Sequence, residues 1–337
     1  MKRCISIIFL ILSIACSYPY ACAQLWQPDV LGDGFQMRYV DQGKDYSGPV
    51  RSTIVRKQSK CHNGKGILYI HGYNDYFFQK EEANRLVDSC YDFYAVDLRK
   101  YGRSITDSNL RFQVRDMREY FPDIDSALQQ MHKDGVRDIT LMGHSTGGLT
   151  AAYYMTSAPD TAIHRLVLNS PFLDWNFSGI KRKVGIPLIS GIGKLFPHIK
   201  IPQGKISLYA ESLLHSRHGE WNFNTAWKTE KPLPVESSWV RAITKAQSNV
   251  RKHGDRIKVP VLLVHSDHSI YGDEWSEDFT KGDAVLNVDH ISKIGKKLGK
   301  DVTEDTIPDA LHDVFLSPRN VREKAYDSMF HFLRTHP

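Results

Sequence analysis

Apolar residues follow two different patterns along the chain. In 35–41 and 50–59 they partly alternate with polar residues, which predicts an antiparallel hairpin at the edge of a sheet. In later stretches they form continuous runs bounded by turn residues, as is typical of strands buried on both faces. These runs predict strands over 66–72, 92–102, 138–145, 164–172 and 259–267, and a further strand and loop over 301–313.

Segments with helical character separate most of these strands. They cover 79–90, 120–135, 146–157, 288–300 and 320–336. Regular alternation of buried strands and helices favours a mostly parallel sheet with helices on both faces, the α/β class.

The alternation stops between Trp175 and Lys252. This stretch contains four of the six tryptophans and several glycines and prolines. It begins after one predicted parallel strand and ends before the next, on the side where α/β folds place their ligand crevice. We expect residues 175–252 to be a cap over a core formed by 24–174 and 253–337. The alternative is a helical excursion that packs on the sheet and touches no substrate.

The N-terminus has the form of a secretory signal peptide. Two basic residues precede an apolar stretch that ends in small residues, so we expect residues 1–23 to be removed and the protein to be periplasmic or secreted. The apolar stretch is short for a membrane anchor.

Removal of residues 1–23 leaves two cysteines, Cys61 and Cys90, each just before a predicted strand. An exported chain favours a disulfide between them over two separate thiols.

The charges of the chain are well mixed. The 337 residues include 44 basic and 38 acidic ones, with a net charge of +6 and no long run of either sign. A basic stripe with interleaved aromatic residues is absent from the sequence, which argues against a dedicated nucleic-acid role.

The stretch "LMGHSTGGLT" contains a G-x-S-x-G pattern centred on Ser145. A predicted strand precedes it and a predicted helix follows. A sharp strand-to-helix turn crowds the positions two before and two after the serine, so Gly143 and Gly147 suit them. We therefore predict that Ser145 is a nucleophile. We expect the neighbouring His144 to support the turn from outside the site rather than to act as the base.

Partners for this serine occur further along the chain. "YIHGYND" ends a predicted strand, and the backbone amides of Tyr73 and Thr146 are the candidate donors of an oxyanion hole. The base should follow the last strand. His312 is the sole histidine between the predicted last strand and the last helix, so we predict that it is the base.

The acid has three candidates. Asp267 directly follows the strand at 259–267, whereas Asp283 precedes a helix and lies 29 residues before His312. One helix and one strand with short connections need roughly 30 residues, which favours Asp283 and makes 268–282 an insertion. Asp267 is the alternative acid, and Asp174 is a third possibility.

These stretches together resemble the α/β-hydrolase superfamily, in particular the branch with monoglyceride lipases, lysophospholipases and serine aminopeptidases. The resemblance spans roughly residues 50–335. It rests on "YIHGYND", "AVDLRKYGRS", "GHSTGG", "RLVLNSPF", "VPVLLVHSD", "DAVLNVD" and "ALHDVFLS". "DAVLNVD" looks like the family's acid segment, which supports Asp283. Lys100 stands where the family usually has glycine.

The resemblance implies a fold and an activity. The fold would be a mostly parallel, eight-stranded α/β-hydrolase sheet with a helical cap. The activity would be hydrolysis of small or lipid-like carboxylic esters through an acyl-enzyme on Ser145, without a cofactor or metal. Transient contact with a membrane or lipid surface is compatible with such substrates. A peptidase or amidase, an acyltransferase and a non-catalytic binding protein are the alternatives.

Overall fold

The computed structural model describes residues 25–157, 159–177, 180–204 and 207–337. The predicted signal peptide lies outside the described residues. The strands are Gln27–Pro28 (β1), Gln36–Asp45 (β2), Gly48–Lys57 (β3), Lys65–Ile70 (β4), Asp92–Asp97 (β5), Asp138–His144 (β6), Ile163–Asn169 (β7), Lys200–Ile201 (β8), Val235–Glu236 (β9), Val261–Ser266 (β10) and Val302–Ile307 (β11). The α-helices are Lys80–Asp88 (α1), Phe121–Lys133 (α2), Thr146–Met155 (α3), Ile186–Leu195 (α4), Leu208–Leu213 (α5), Ser237–His253 (α6), Val288–Gly295 (α7) and Arg319–Thr335 (α8).

The main sheet has nine strands in the order β1-β2-β3-β5-β4-β6-β7-β10-β11. The strands from β5 to β11 in this order run parallel to one another, whereas β1, β2 and β3 form the antiparallel edge. The predicted hairpin and mostly parallel sheet are therefore confirmed.

Successive residues of the central strands alternate between two apolar cores, one on each face of the sheet. In β4, Leu68 and Ile70 join the core that contains residues of helices α2, α3 and α6. Ile67 and Tyr69 join the core that contains residues of helices α1 and α8. Both faces are thus covered, which is why these strands are continuous apolar runs in the sequence.

Three details of the sheet differ from the prediction. Strand β1 has only two residues, too few to give a pattern, so the sheet has nine strands rather than eight. Strand β2 extends past a register shift to Asp45. Most of the predicted connection between β2 and β3 belongs to these two strands, and only a two-residue turn at 46–47 remains. Strand β5 ends at Asp97 instead of 102, and the following Lys100 has a positive φ of 68° that no strand accommodates.

The segment between β7 and β10 contains α4, α5, α6 and a two-stranded antiparallel sheet of β8 and β9. Helices α4 and α6 are in close contact at Gly193, where an added Cβ would lie 2.3 Å from the Ser237 carbonyl oxygen. Trp239 and Ile243 of α6 are buried in the same core as Leu149 of α3. The segment is therefore anchored on the main sheet through α6.

Cys61 and Cys90 form a disulfide, as predicted. They precede β4 and β5, which are adjacent and parallel, so the amino ends of the two strands bring the sulfurs together. Among the described residues, no helix has both the length and the apolar character that crossing a bilayer requires.

Removal of this disulfide should lower stability. The bridged residues are 29 positions apart, and a loop of that size restricts the unfolded chain enough to stabilise the fold by about 3–4 kcal/mol. We expect the Cys61→Ser/Cys90→Ser variant to unfold at a lower urea concentration than the oxidised protein. Equal midpoints and slopes would contradict this.

Candidate active site

The candidate residues converge because they follow the carboxyl ends of neighbouring parallel strands. Ser145 follows β6, Asp283 follows β10 after a long loop, and His312 follows β11. Tyr73 follows β4, next to β6 in the sheet. The carboxyl ends of parallel strands share one edge, where α/β folds place their ligands.

Ser145 occupies a strained turn. Its φ of 55° and ψ of −117° lie outside the regions that non-glycine residues ordinarily adopt. The turn is held by the Ser145 amide, which donates to the Asn169 carbonyl oxygen at 3.0 Å, and by the Phe172 amide, which donates to the Ser145 carbonyl oxygen at 3.0 Å. The hydroxyl therefore has a fixed position at the start of α3.

The flanking glycines are required by close contacts. A Cβ on Gly143 would lie 2.5 Å from the Gly147 carbonyl oxygen, as the sequence argument expects. A Cβ on Gly147 would instead lie 2.3 Å from the carbonyl oxygens of Ile70 and His71. The second glycine thus lets α3 approach the end of β4, a contact the local sequence does not reveal.

Ser145, His312 and Asp283 form a continuous hydrogen-bonded chain. His312 Nε2 lies 2.9 Å from Ser145 Oγ, and His312 Nδ1 lies 2.8 Å from Asp283 Oδ2. Because the ionised carboxylate only accepts hydrogen bonds, Nδ1 carries the proton and Nε2 is free to accept one from the serine. All three residues are buried.

The Asp283 carboxylate is itself oriented by the backbone. Its Oδ1 accepts hydrogen bonds from the amides of Val285 and Leu286, both at 2.8 Å. Oδ2 is left to His312.

The structure does not bring the other acid candidates to His312. Asp267 has a side chain that is 39% exposed and pairs with His268 at 2.7 Å. Asp174 pairs with Arg182 and Arg251.

Tyr73 and Thr146, the predicted oxyanion donors, line the same cavity as Ser145. An added Cβ on Gly72 would be 3.2 Å from Ser145 Cβ, so the loop that carries Tyr73 is in close contact with the serine. The loop and turn hydrogen bonds of the described residues use neither amide as a donor. Both N–H groups are therefore available to a ligand.

His144 supports the turn but lies closer to the site than the sequence suggested. Its Nδ1 donates to the Asn169 carbonyl oxygen at 3.3 Å, and its ring centroid is 4.8 Å from that of His312. Burial lowers the pKa of His144 to about 4, so the ring is neutral at physiological pH. The expectation that it lies outside the site is wrong.

Two cavities meet at Ser145. One, of about 220 Å³, has mostly apolar walls that include Phe172, Trp175 and Trp239. The other, of about 210 Å³, also has mostly apolar walls but contains His312 and the polar side chains of Asn74, Asp75, Ser207, Tyr209, Lys228 and Thr229. We call the first the apolar cavity and the second, after these side chains, the polar cavity. Sequence reasoning missed Asp75 and Lys228, because they come from separate parts of the chain and match no local motif.

A family comparison agrees with this geometry. Residues 62–318 match the family described as serine aminopeptidase, S33. The chain belongs to this family. The predicted resemblance to serine hydrolases of the α/β-hydrolase fold is thereby confirmed. A search of curated proteins finds no significant match.

Solved structures share the fold at low sequence identity. A monoacylglycerol lipase from Paleococcus ferrophilus is 18% identical with a TM-score of 0.62, over 89% of this chain and 99% of the lipase. A soluble variant of monoglyceride lipase from Saccharomyces cerevisiae, bound to a substrate analog, is 16% identical with a TM-score of 0.65, over 89% and 97%. A carboxyl esterase from Bacillus coagulans is 12% identical with a TM-score of 0.62, over 89% and 98%.

A methyl group at Gly147 should disrupt the turn. The Gly147→Ala substitution forces Cβ against two backbone carbonyls, so we expect a loss of about 2 kcal/mol or more in the free energy of unfolding. Gly191→Ala is the matched control, since nothing lies within 4 Å of its Cβ in α4 and the change should be neutral or slightly stabilising. Urea unfolding measures both. A Gly147→Ala variant as stable as Gly191→Ala would contradict the steric argument.

Proposed function

We propose that this protein hydrolyses carboxylic esters through an acyl-enzyme on Ser145. The observation that carries the proposal is the continuous chain of hydrogen bonds from Ser145 through His312 to Asp283. A serine in this arrangement can lose its proton to the imidazole as it attacks, while the carboxylate stabilises the imidazolium that forms.

The residues suggest a complete reaction. Ser145 Oγ adds to the ester carbonyl and His312 Nε2 takes its proton. The amides of Tyr73 and Thr146 donate to the developing oxyanion. The intermediate collapses as His312 gives the proton to the departing alcohol oxygen. Water then attacks the acyl-enzyme as His312 takes its proton, and His312 returns that proton to Ser145 Oγ as the acid departs.

The apolar cavity favours esters whose acyl group is aliphatic or aromatic. Its aromatic walls can cover an apolar acyl group and exclude water from the carbonyl carbon. The structures that share the fold include a monoacylglycerol lipase and a carboxyl esterase, which supports lipid-like or small esters as substrates.

Substitutions in the proposed triad test the function. Ser145→Ala should lower kcat for a p-nitrophenyl ester by more than about 10⁴-fold and abolish labelling by a fluorophosphonate. Asp283→Asn should lower kcat by about 10³–10⁴-fold, since the amide no longer holds the tautomer that accepts the serine proton.

Asp267→Asn is the matched control for the acid. It removes the same charge at an exposed position that pairs with His268, so activity should stay within about twofold of the wild type. Persistent labelling of Ser145→Ala would overturn the nucleophile. A loss of activity in Asp267→Asn but not in Asp283→Asn would overturn the choice of acid.

We also propose that residues 175–252 form a cap whose outer surface contacts anionic lipid bilayers. Ile180, Val184, Leu188 and Leu195 recur at helical spacing and are 58–79% exposed. Residues 175–210 contain six basic and no acidic residues, namely Lys181, Arg182, Lys183, Lys194, Lys200 and Lys205. Apolar side chains flanked by positive charge suit the interface of an anionic membrane.

Sedimentation with lipid vesicles tests this contact. The wild type should bind vesicles that contain phosphatidylglycerol more strongly than pure phosphatidylcholine vesicles. Leu188→Ser/Leu195→Ser should weaken binding by about tenfold or more, because two leucines no longer enter the apolar layer. Val30→Ser/Tyr271→Ser removes equally exposed apolar side chains elsewhere and should bind as the wild type does. Equal binding by both double variants would exclude α4 as the contact.

Export fits the same proposal. The disulfide between Cys61 and Cys90 requires an oxidising compartment, and the sequence of residues 1–23 suits a cleaved signal peptide. These two features support a periplasmic or secreted location.

A further inference from the structure

We infer that Lys228, held by Asp75, selects the charge of the leaving group and favours esters of anionic alcohols over esters of cationic ones. The inference rests on the proposed ester hydrolysis, because it assigns a specificity to that site. Ser145 lines both cavities, so each half of an ester can enter one of them.

The position of His312 decides which cavity receives the leaving group. The imidazole must return its proton to the alcohol oxygen, so that oxygen has to depart on the side of His312. His312 lines the polar cavity and is absent from the walls of the apolar one. The alcohol therefore occupies the polar cavity and the acyl group the apolar cavity.

Lys228 is the one cation that lines the polar cavity, among the residues that the structure describes. Lysine is seldom buried, yet Lys228 is only 5% exposed. The rings of Phe78, Tyr209 and Phe223 surround it, with their centroids 5.6–5.8 Å from Nζ. These aromatic faces stabilise the ammonium.

The position of Lys228 is fixed relative to the reacting atoms. The Asn74 side chain donates to the Thr229 carbonyl oxygen and accepts from the Thr229 amide, both at 2.9 Å. Asn74 directly follows Tyr73, whose amide is a proposed oxyanion donor. The residue after Lys228 is thereby bonded to the loop beside the serine.

The ammonium keeps unused hydrogen-bonding capacity. It forms an ion pair with Asp75, at 3.0 Å from Nζ to Oδ1. Asp75 Oδ1 accepts no hydrogen bond, so this contact is electrostatic. Within the described ranges 25–157, 159–177, 180–204 and 207–337, no oxygen accepts a hydrogen bond from Nζ, and its three N–H donors can bind a ligand that supplies acceptor oxygens.

The pair also disfavours a cationic leaving group. Asp75 is the one carboxylate that lines the polar cavity in the described part of the chain, and Lys228 already neutralises it. A substrate ammonium would meet the charge of Lys228, and the one carboxylate on these walls already forms an ion pair with that lysine. A phosphate or carboxylate on the alcohol would meet unused N–H donors instead. The chemistry thus selects an alcohol that bears a negative charge.

Three esters with one acyl group test the inference. We would compare kcat/KM for the butyryl esters of glycerol 3-phosphate, glycerol and choline. The wild type should prefer the phosphate ester over the choline ester by at least about tenfold. Lys228→Met should bring this ratio to one or below, since Asp75 is then unpaired. Asp75→Asn should raise the ratio, since the competing carboxylate is gone.

The opposite signs separate charge selection from damage to the fold. A substitution that only destabilised the protein would lower kcat/KM for all three esters together. Lys228→Arg retains the cation and should keep the ratio above one. Lys252→Met removes an exposed lysine of α6 and should leave the ratio unchanged. Because the Lys228 contact is buried, the preference should persist in 0.5 M NaCl.

The outcomes distinguish this inference from the proposed function. A wild-type protein that reacts with neither a fluorophosphonate nor any ester would overturn ester hydrolysis itself. A wild type that is labelled on Ser145 and cleaves all three esters with equal kcat/KM would overturn only the role of Lys228. The same holds if Lys228→Met and Asp75→Asn leave the ratio unchanged.

Discussion

The backbone of Ser145 is the constraint on which the site depends. A φ of 55° is unfavourable for serine, and it persists because the Asn169 carbonyl and the Phe172 amide bind the turn on both sides. The turn closes only if Gly143 has no side chain, and α3 reaches β4 only if Gly147 has none. That contact brings the start of α3 to the end of β4, so Ser145 and Thr146 lie beside the loop that carries Tyr73. The strained turn therefore fixes the proposed nucleophile relative to the proposed amide donors.

Asp283, the proposed acid, shows how a loop can lengthen without moving a side chain away from the candidate site. Strand β10 ends at Ser266, and Asp283 lies 17 residues later. The loop between them closes on itself, because the Asp283 amide donates to the His268 carbonyl and the Ile270 amide donates to the Asp283 carbonyl. The loop therefore returns at Asp283 to a position next to residues 268–270, close to the end of β10. Spacing to His312 favours Asp283 in the sequence for this reason, whereas nearness to the strand end misleadingly favours Asp267.

The sequence is informative where function depends on neighbours along the chain. The strand and helix around Ser145 are a local pattern, and each of Asp283 and His312 follows a strand that the local sequence predicts, so the sequence predicts the sheet and the candidate triad. Contacts between distant segments leave no such pattern. Arg103 is buried between Asp29 and Asp97, at 2.6 Å and 2.9 Å, and Asp29 belongs to a segment with no predicted role. Lys100 takes a positive φ usually left to glycine, and its ammonium binds Asp45 at 2.7 Å.

In the proposed function, the segment between β7 and β10 contributes to specificity and the sheet edge carries the chemistry. Ser145, His312 and Asp283 come from the sheet edge, and the roles proposed for them do not depend on the rest of the ester. Trp239 in the apolar cavity and Lys228 in the polar cavity both come from this segment, as does the exposed stripe of α4. One stretch of chain therefore supplies walls for both cavities and an apolar outer surface. If the two cavities receive the two halves of an ester, a change in this stretch alters which acyl group or alcohol is accepted while the hydrogen bonds of the candidate triad stay as they are.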